Sequence, residues 1–384
     1  MNPQPAYDLS PALGLLAIGA LLAFAPLAWV WRRNRNAGPD RRLQALTLLT
    51  LFLTFDLVLF GAFTRLTDSG LGCPDWPGCY GTASPLGASA QIARAQSEMP
   101  TGPVTHGKAW IEMMHRYLAM AVGALIAAMA AMTWLQRNRG VSVNPWWATV
   151  TLFWVCLQGA FGALTVTMKL FPAIVTLHLL GGLVLLALLC RQAVDWDKAM
   201  RGSHSLAVAP GTRALLVLAF AMVWLQVALG GWVSTNYAVL ACSEFPKCQG
   251  AWWPAMDFQQ GFQIWRKLGM TSAGDHISFA ALTAIHFAHR LMAYAVLVVL
   301  AVLAWRLWRV GALRRQARWV GGLALWQLAS GLSNVVLGWP MVAAVAHTGG
   351  AAALVVVLTW SLCTTASVGA DARNARLGAR EQPT

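Results

Sequence analysis

The chain has 384 residues, of which 58% are hydrophobic and 11% are charged, and 20 of them are tryptophans. This composition excludes an ordinary soluble domain and predicts an integral membrane protein. The net charge of +14 does not indicate nucleic-acid binding, because the lysines and arginines lie in short segments between apolar stretches, where they act as topology signals.

Apolar stretches of about 20 residues, the length that a helix needs to cross a bilayer, recur along the whole chain. The first stretch has no basic segment before it and no small-residue cleavage pattern after it, so we expect an uncleaved helix rather than a signal peptide. The pattern predicts an all-α integral membrane protein with nine transmembrane helices, near residues 12–31, 44–64, 109–135, 146–166, 173–191, 212–233, 278–305, 318–338 and 342–363.

The positive charges predict the orientation of the chain in a bacterial inner membrane. Nineteen of the 28 lysines and arginines lie in alternate connections between the predicted helices and in the C-terminal tail, and such charges mark the cytoplasmic side. The N-terminus is then periplasmic and the C-terminus cytoplasmic. The two long loops, near 65–108 and 234–277, face the periplasm, where disulfides persist.

Each long loop contains two cysteines six positions apart, with a proline two residues before the second cysteine. The pairs are Cys73 with Cys79 in "CPDWPGC" and Cys242 with Cys248 in "CSEFPKC". No histidine lies close to either pair, so a metal site is the weakest interpretation, and two small disulfide rings are expected. At this point it is open whether the rings only shape the loops or also pass electrons.

The two loops belong to an internal repeat. The stretch that ends at Gly81 is similar to the stretch that ends at Gly250, "MMHRYLAM" is similar to "FAHRLMAY", and "LHLLGG" is similar to "AHTGG". We predict two pseudosymmetric four-helix bundles in a parallel repeat, with one extra helix in front. The predicted segments are the extra helix with its cytoplasmic turn, the N-terminal bundle, the C-terminal bundle and a cytoplasmic tail, at 1–43, 44–200, 201–365 and 366–384.

Four histidines inside the predicted helices match between the repeats, two in each repeat, and all four lie in the outer half of the membrane. They are His115, His178, His289 and His347. Ionisable residues are costly inside a bilayer, and two imidazoles from separate helices of a four-helix bundle suit the axial positions of a haem iron. The glycine pairs that follow two of them leave room for a flat macrocycle. The arginines that directly follow the other two are candidates for pairing with haem propionates or for snorkelling to the outer interface: Arg116 and Arg290.

The repeats differ at two polar positions, and such differences indicate where a catalytic role lies. Glu112 stands three residues before His115 on the same helical face, whereas His286 occupies the matching position in the second repeat. A carboxylate over a haem pocket accepts protons, orients water or balances charge on a substrate, and the alternative is an interfacial glutamate that faces headgroups. Asp56, matched with Gln226, is either a contact between helices or a proton-handling group.

Together, the motifs "GAFTRLTDSGLGCPDWPGC", "EMMHRYLA", "LHLLGG", "HFAHRLMAY" and "AHTGG", over about residues 45–363, resemble the haem A synthase family of cytochrome oxidase assembly. The resemblance implies two joined four-helix bundles and an oxidoreductase that converts a methyl group of haem O to the formyl group of haem A. It implies a bound haem b in the C-terminal half at His289 and His347. The substrate haem is then in the N-terminal half at His115 and His178, with Glu112 as the catalytic residue.

The same resemblance implies the partners. Haem O and haem A are substrate and product, haem O synthase supplies the substrate, an electron-transfer partner is required but not identified, and a homo-oligomer is compatible with the family. Bacterial members usually have eight spanning helices, so the extra first helix is expected to have no catalytic part. The alternative function is a bis-histidine membrane cytochrome b that transfers electrons between quinol and an acceptor, which accounts for the four histidines but not for a carboxylate on one side only.

Overall fold

The computed structural model describes residues 8–139 and 142–368. This part of the chain contains eleven α-helices and two short strands, and the prediction of an all-α integral membrane protein is confirmed. In chain order the elements are α1 (Ser10–Arg33), α2 (Pro39–Leu66), α3 (Ser89–Glu98), α4 (His106–Gln136), α5 (Trp146–Thr167), α6 (Pro172–Arg201), β1 (Leu206–Val208), α7 (Pro210–Thr235), α8 (Phe258–Gly261), α9 (Phe279–Arg309), α10 (Arg314–Val336), α11 (Met341–Thr364) and β2 (Thr365–Ser367).

Nine of the helices in the described ranges are long, and they coincide with the nine predicted segments. Eight of them are long and apolar enough to cross a membrane. The exception is α10, whose first five residues include Arg314, Arg315 and Arg318. It packs between α9 and α11, the place of a fourth bundle helix, but the number of nine spanning helices stays a prediction that depends on it.

The two helices in which an arginine directly follows a histidine begin in the same way. Thr105 caps α4 by accepting a hydrogen bond from the amide of Lys108 at 3.2 Å, and Ser278 caps α9 by accepting one from the amide of Ala281 at 3.2 Å. Such caps satisfy an amide that has no partner within the helix. Each cap therefore fixes where the helix leaves its loop and, with it, the depth of the histidine that follows.

The long helices other than α1 pack as two rings of four. In the first ring α4 and α6 each contact both α2 and α5, and in the second ring α9 and α11 each contact both α7 and α10. The rings meet where α11 lies against α2 and α6 and where α6 lies against α7. The order of contacts is thus the same in the two rings, and the histidine-bearing helices lie diagonally opposite each other in both.

Two hydrogen bonds between the rings join residues that are 169 positions apart. Arg65 donates to the carbonyl of Ser234 at 2.5 Å, and the hydroxyl of Tyr237 donates to the carboxylate of Asp68 at 2.6 Å. The same offset separates the two cysteine pairs. A residue that touches its own repeat equivalent lies beside a twofold axis between two units. These contacts therefore support the pseudosymmetry, which stays a prediction.

The extra helix α1 lies outside the rings, against α4. It also contacts the first loop, residues 67–105, which has a counterpart in the second loop, residues 236–278. A Cβ atom added at Gly14 would lie 2.6 Å from Cβ of Ala83 in the first loop, and Leu15 belongs to one apolar cluster with Cys73 and Cys79. Helix α1 therefore supports the first loop from the side.

A short parallel sheet joins the connection between the rings to the end of α11. Leu206 of β1 stands opposite Thr365 of β2, and Lys198 donates to the carbonyl of Cys363 at 2.6 Å. The sequence analysis missed these strands, because three residues are too few to show a periodicity. The tail predicted for 366–384 thus begins within β2, and its part after residue 368 lies outside the described residues.

Candidate functional site

Each of the four predicted histidines lies against a glycine of a neighbouring helix. Two of these histidines belong to the first ring, in α4 and α6, and two to the second ring, in α9 and α11. A Cβ atom added at the glycine would lie between 2.9 and 3.5 Å from Cε1 of the imidazole. The pairs, given as glycine and histidine, are Gly61 with His115, Gly162 with His178, Gly230 with His289 and Gly331 with His347.

The sequence analysis did not identify these glycines, although the repeat contains the signal. Gly61 and Gly230 are 169 positions apart, as are Gly162 and Gly331. At three of the four positions a Cβ atom would lie 3.2 Å or less from the imidazole, so that glycine is favoured there, whereas the 3.5 Å at Gly162 is an ordinary contact. A search for glycines that recur at the repeat offset would therefore have found them.

In the second ring both histidines have a partner at Nδ1. Ser330 Oγ lies 2.9 Å from Nδ1 of His347, and Nε2 of Gln226 lies 3.1 Å from Nδ1 of His289. The hydroxyl of Ser330 donates to the carbonyl of Trp326 at 2.7 Å, so its oxygen is free to accept the Nδ1 proton. At His347 that arrangement leaves the lone pair of Nε2 available for a metal ion. At His289 the partner is an amide nitrogen, which donates and which also donates to the His289 carbonyl at 3.2 Å, so Gln226 fixes the position of this ring without accepting its proton.

In the first ring the corresponding atoms are not engaged. The buried Nδ1 atoms of His115 and His178 have no hydrogen-bond partner among the described residues. The ring of His115 stacks on Phe60, with the centroids 6.2 Å apart and the planes inclined by 7°. The first ring therefore presents two imidazoles whose orientation is set by packing rather than by hydrogen bonds.

The glycine pairs after His178 and His347 do not have the role that we expected. A Cβ atom at Gly181 would overlap the side chain of Gln158, and one at Gly350 would overlap the side chain of Gln327. Gly350 also lines an apolar groove of about 610 Å³ between α2 and α11, outside both rings. Gly181 and Gly350 leave room for the two glutamines, and the glycines that lie against the imidazoles are those of the neighbouring helices.

Glu112 is buried, with 3% of its surface exposed, and it lies between α4 and the first loop. Its Oε2 accepts a hydrogen bond from the amide of Cys73 at 2.7 Å, and its Oε1 accepts one from Arg116 Nη2 at 2.5 Å. The alternative of a carboxylate that faces headgroups is therefore wrong. A buried carboxylate that stays charged requires partners of this kind.

His286 occupies the same place under the second loop. Its Nδ1 accepts a hydrogen bond from the amide of Cys242 at 3.4 Å, and Arg290 Nε lies 3.3 Å from its Nε2. The two loops are thus anchored by the same geometry, a side chain that accepts from the first cysteine and that contacts the arginine four residues later. Only the first of the two anchors is a carboxylate.

Both arginines are engaged by the loops. Arg116 donates to three carbonyl groups of the first loop, and Arg290 donates to the carbonyl groups of Cys242 at 2.7 Å and Lys247 at 3.2 Å. Arg116 does not reach the outer surface as a snorkelling side chain does, because only 10% of its side chain is exposed. Pairing with haem propionates stays a prediction, and the contacts of the structure are with the loops.

The four loop cysteines form the two predicted disulfides. The sulfur atoms of Cys73 and Cys79 are 2.08 Å apart, and those of Cys242 and Cys248 are 1.97 Å apart. All four residues have 0% of their surface exposed. A soluble redox partner therefore reaches a disulfide only after the loop has opened, which favours the shaping of the loops over electron transfer.

Asp56 is not at the site. Its side chain is exposed on α2, and it forms no ion pair within the described ranges. The offset of 169 matches Gln226 with Leu57 rather than with Asp56, so our pairing of Asp56 with Gln226 was wrong by one position. The helix-contact and proton-handling roles proposed for Asp56 have no support from its surroundings.

The residues at the two sites fit a haem in each ring. Two imidazoles from diagonally opposite helices, each next to a glycine, provide axial nitrogens and room beside them. Residues 44–359, which include both rings, match the COX15-CtaA family of cytochrome oxidase assembly proteins.

The chain belongs to the COX15-CtaA family. It is 36% identical over 325 residues to the protein named Heme A synthase from Shewanella oneidensis, an alignment that covers 83% of this chain and 94% of that protein. It is 26% identical to the Heme A synthase of Rhizorhabdus wittichii, over 85% of this chain and 96% of that protein. A third relative with this name, from Halalkalibacterium halodurans, is 25% identical over 84% of this chain and 95% of its own length.

The COX15-CtaA match covers all the histidines, both loops and Glu112, but it begins after α1. Helix α1 therefore lies outside the part of the chain that matches the family, which consists of the two rings of helices and their loops. Its contacts are with α4, with α2 and with the first loop. That α1 takes no direct part in the chemistry stays a prediction.

Proposed function

We propose that this chain is a haem A synthase that oxidises a methyl group of haem O to the formyl group of haem A. Three observations support the proposal: the family match, the curated relatives that have this name, and a buried carboxylate over only one of two histidine pairs. The alternative, a bis-histidine cytochrome b, is not favoured by any of the relatives reported above. It also requires no difference between the two anchors, Glu112 and His286.

The partners of the histidine Nδ1 atoms support the assignment of the two haems. A ligating histidine whose other nitrogen is hydrogen-bonded binds a metal more firmly, and loss of such a bond typically costs about 10- to 100-fold in affinity. In the second ring His347 has such a bond, to Ser330, and Gln226 holds His289 by donating to its ring and to its backbone carbonyl. We therefore assign the resident haem b to His289 and His347, and the substrate, which must enter and leave, to His115 and His178.

Glu112 is the group that we assign to the chemistry. It is the only acidic residue of α4 and stands one turn before His115, so its carboxylate lies over the substrate pocket. A carboxylate held in place by Cys73 and Arg116 is suited to accept a proton from the methyl group being oxidised or to orient a water molecule beside it. Haem b, when bound, supplies one-electron transfer, which protein side chains do not provide.

The conversion is a net oxidation in two stages. Each stage removes two electrons from the methyl carbon, adds a hydroxyl group taken from one water molecule and releases two protons, and the hydrated aldehyde that results loses water to give the formyl group. The chain itself contributes binding, orientation and a proton acceptor, whereas the electrons must pass to an acceptor outside the two rings. We propose that haem O synthase supplies the substrate and that both loops face the periplasm, with a periplasmic N-terminus and a cytoplasmic C-terminus.

The decisive experiment is the extraction and chromatography of pigments from the purified protein, produced in cells that also make haem O. We expect haem b together with haem A or haem O in the wild type. In Glu112→Ala we expect haem b and haem O without haem A, because the carboxylate is removed and the ligands of haem b are intact. Glu98→Ala removes an exposed carboxylate of the first loop and serves as the control that retains haem A.

Two results would contradict the proposal. Haem b alone in both halves of the wild type would favour the cytochrome b alternative. Normal haem A formation by Glu112→Ala would remove Glu112 from the chemistry, even if the protein is a haem A synthase. The two outcomes are distinguishable, because the first concerns the pigment of the wild type and the second concerns only the variant.

A further inference from the structure

Arg116 contacts three backbone carbonyl groups of the first loop as well as the carboxylate of Glu112. Its Nη1 donates to the carbonyl groups of Asp75 at 3.0 Å, Pro77 at 3.0 Å and Gly78 at 2.5 Å. Its Nη2 donates to Oε1 of Glu112 at 2.5 Å. One guanidinium thus connects the turn between the two cysteines to the carboxylate that we assign to the chemistry.

The other oxygen of Glu112 completes the connection. Oε2 accepts from the amide of Cys73 at 2.7 Å, so neither oxygen of the carboxylate is free to rotate without breaking a bond to the loop or to Arg116. The loop approaches α4 closely because Gly72 has no side chain. A Cβ atom there would lie 2.4 to 2.6 Å from backbone atoms of Lys108 and Ala109.

We propose that Arg116 is a positioning residue that holds the first loop closed over the substrate pocket and fixes the orientation of the Glu112 carboxylate. The part about Glu112 rests on the proposed function, whereas the part about the loop does not. Arg116 needs no contact with haem in this role. It acts through Glu112 and through the three carbonyl groups of the loop.

The second loop shows which part of this arrangement is general and which is specific. Arg290 also donates to carbonyl groups of its loop, but the residue between it and the loop is His286, with contacts of 3.3 and 3.4 Å. A neutral ring at those distances holds an arginine less firmly than a carboxylate at 2.5 Å does. Holding a loop closed is therefore common to both arginines, and holding a charged acceptor in place belongs to Arg116 alone.

The test compares variants of the full-length protein in two measurements. The first is the rate at which a water-soluble phosphine reduces each disulfide, after the free thiols have been blocked, with the new thiols labelled by a maleimide and assigned by peptide mass spectrometry. The second is haem A formation, resolved into kcat and KM for haem O. Haem b content in the same preparations shows whether the fold is intact.

Arg116→Gln is expected to raise the reduction rate of the Cys73–Cys79 disulfide about tenfold, because charge-assisted hydrogen bonds that keep the buried sulfur atoms covered are lost. It is also expected to lower kcat for haem A formation about tenfold or more, with a smaller effect on KM, since the carboxylate loses its fixed orientation. Arg116→Lys should lie between the wild type and Arg116→Gln in both the reduction rate and kcat, because lysine keeps the charge but loses the planar set of donors.

Three further variants separate the loop from the chemistry. Glu112→Gln should abolish haem A formation and change the reduction rate of Cys73–Cys79 only slightly, because Arg116 keeps its three carbonyl contacts. Arg290→Gln should accelerate reduction of Cys242–Cys248 and leave that of Cys73–Cys79 unchanged. Arg94→Gln removes a similar pair four residues apart, Arg94 with Glu98, that is exposed in the same loop, and it should change neither measurement.

The proposal is overturned if Arg116→Gln retains haem b and its Cys73–Cys79 disulfide is reduced at the wild-type rate. It is equally overturned if this variant forms haem A with the wild-type kcat. It is also overturned if Arg116→Lys is no better than Arg116→Gln in both measurements. A wild-type protein that makes no haem A would overturn the proposed function instead, while the reduction rates would still test the role of Arg116 in the loop.

Discussion

The two rings have the same helix order but hold their histidines differently. In the second ring, Ser330 and Gln226 contact the Nδ1 atoms of His347 and His289. In the first ring, the residues at the repeat-equivalent positions are Phe161 and Leu57, which have no polar side-chain atoms. The two rings thus share the histidines and the glycines that face them, but they differ in the side chains next to the Nδ1 atoms.

In the assignment that we propose, this difference separates a resident haem from an exchangeable one in the same architecture. A hydrogen bond behind a ligating imidazole fixes its ring and raises its basicity, which favours permanent binding. A substrate site needs the opposite, because a product that binds too firmly limits turnover. The polarity behind the ligands, rather than the ligands themselves, separates cofactor from substrate.

The two loops also differ in how they are held in place. The first loop has a carboxylate anchor, an arginine with three carbonyl contacts, and α1 at its side, whereas the second loop has a histidine anchor and no helix equivalent to α1 in the described ranges. The first loop is therefore held from two directions over the ring that we assign to the substrate. Each of the following predictions changes one of these differences.

The largest effect is expected for Gly72→Val. The new side chain would overlap backbone atoms of Lys108 and Ala109, and overpacking of this kind costs about 1–3 kcal/mol, or roughly a 5- to 150-fold loss in the closed population of the loop. We expect haem A formation to fall by a similar factor while haem b is retained. The matched control is Ala241→Val at the equivalent position of the second loop, which should leave reduction of Cys73–Cys79 at the wild-type rate.

The outcome that would contradict this prediction is a Gly72→Val protein with both the wild-type rate of haem A formation and the wild-type rate of Cys73–Cys79 reduction. Such a result would mean that the first loop does not need its close approach to α4. The distinction between the two loops would then rest on Glu112 alone.

A smaller effect is expected for Ser330→Ala. The variant removes the oxygen that accepts from Nδ1 of His347, and we expect the affinity for haem b to fall about tenfold, measured as the haem b retained during dilution or extraction with a competing apoprotein. Ser333→Ala is the control, because Ser333 lies on the same helix and donates to the carbonyl of Ser330 at 2.8 Å without contacting His347. Equal retention in the two variants would contradict the role of Ser330.

Much of the fold could be predicted from the sequence, because its signals are long. Apolar stretches of about 20 residues and charged turns are sufficient to find helices in a membrane protein. Helix α10 shows where that signal weakens, since Arg314, Arg315 and Arg318 lie within its first turns and its packing between α9 and α11 supplies what its composition lacks.

The histidines and Glu112 could also be predicted, because ionisable residues stand out in apolar helices. The residues behind them could not, since a serine or a glycine in a membrane helix has no distinctive chemistry until its neighbour is known. Ser330 and Gly331 acquire their meaning only from contact with His347. The same holds for Arg116, whose carbonyl partners are backbone atoms that no sequence motif specifies.

The smallest effect is expected for Gly14→Val, which tests whether α1 supports the first loop. A Cβ atom at this position would lie 2.6 Å from Cβ of Ala83, so α1 or the loop must shift, but Ala83 is not among the residues whose carbonyl groups Arg116 contacts. We expect haem A formation to fall about threefold and reduction of Cys73–Cys79 to accelerate by a similar factor, within the range of a modest overpacking cost. Ala17→Val changes an exposed position of the same helix and should alter neither rate. Identical behaviour of the two variants would show that α1 only accompanies the loop, and the asymmetry between the loops would then reside in Glu112 and Arg116.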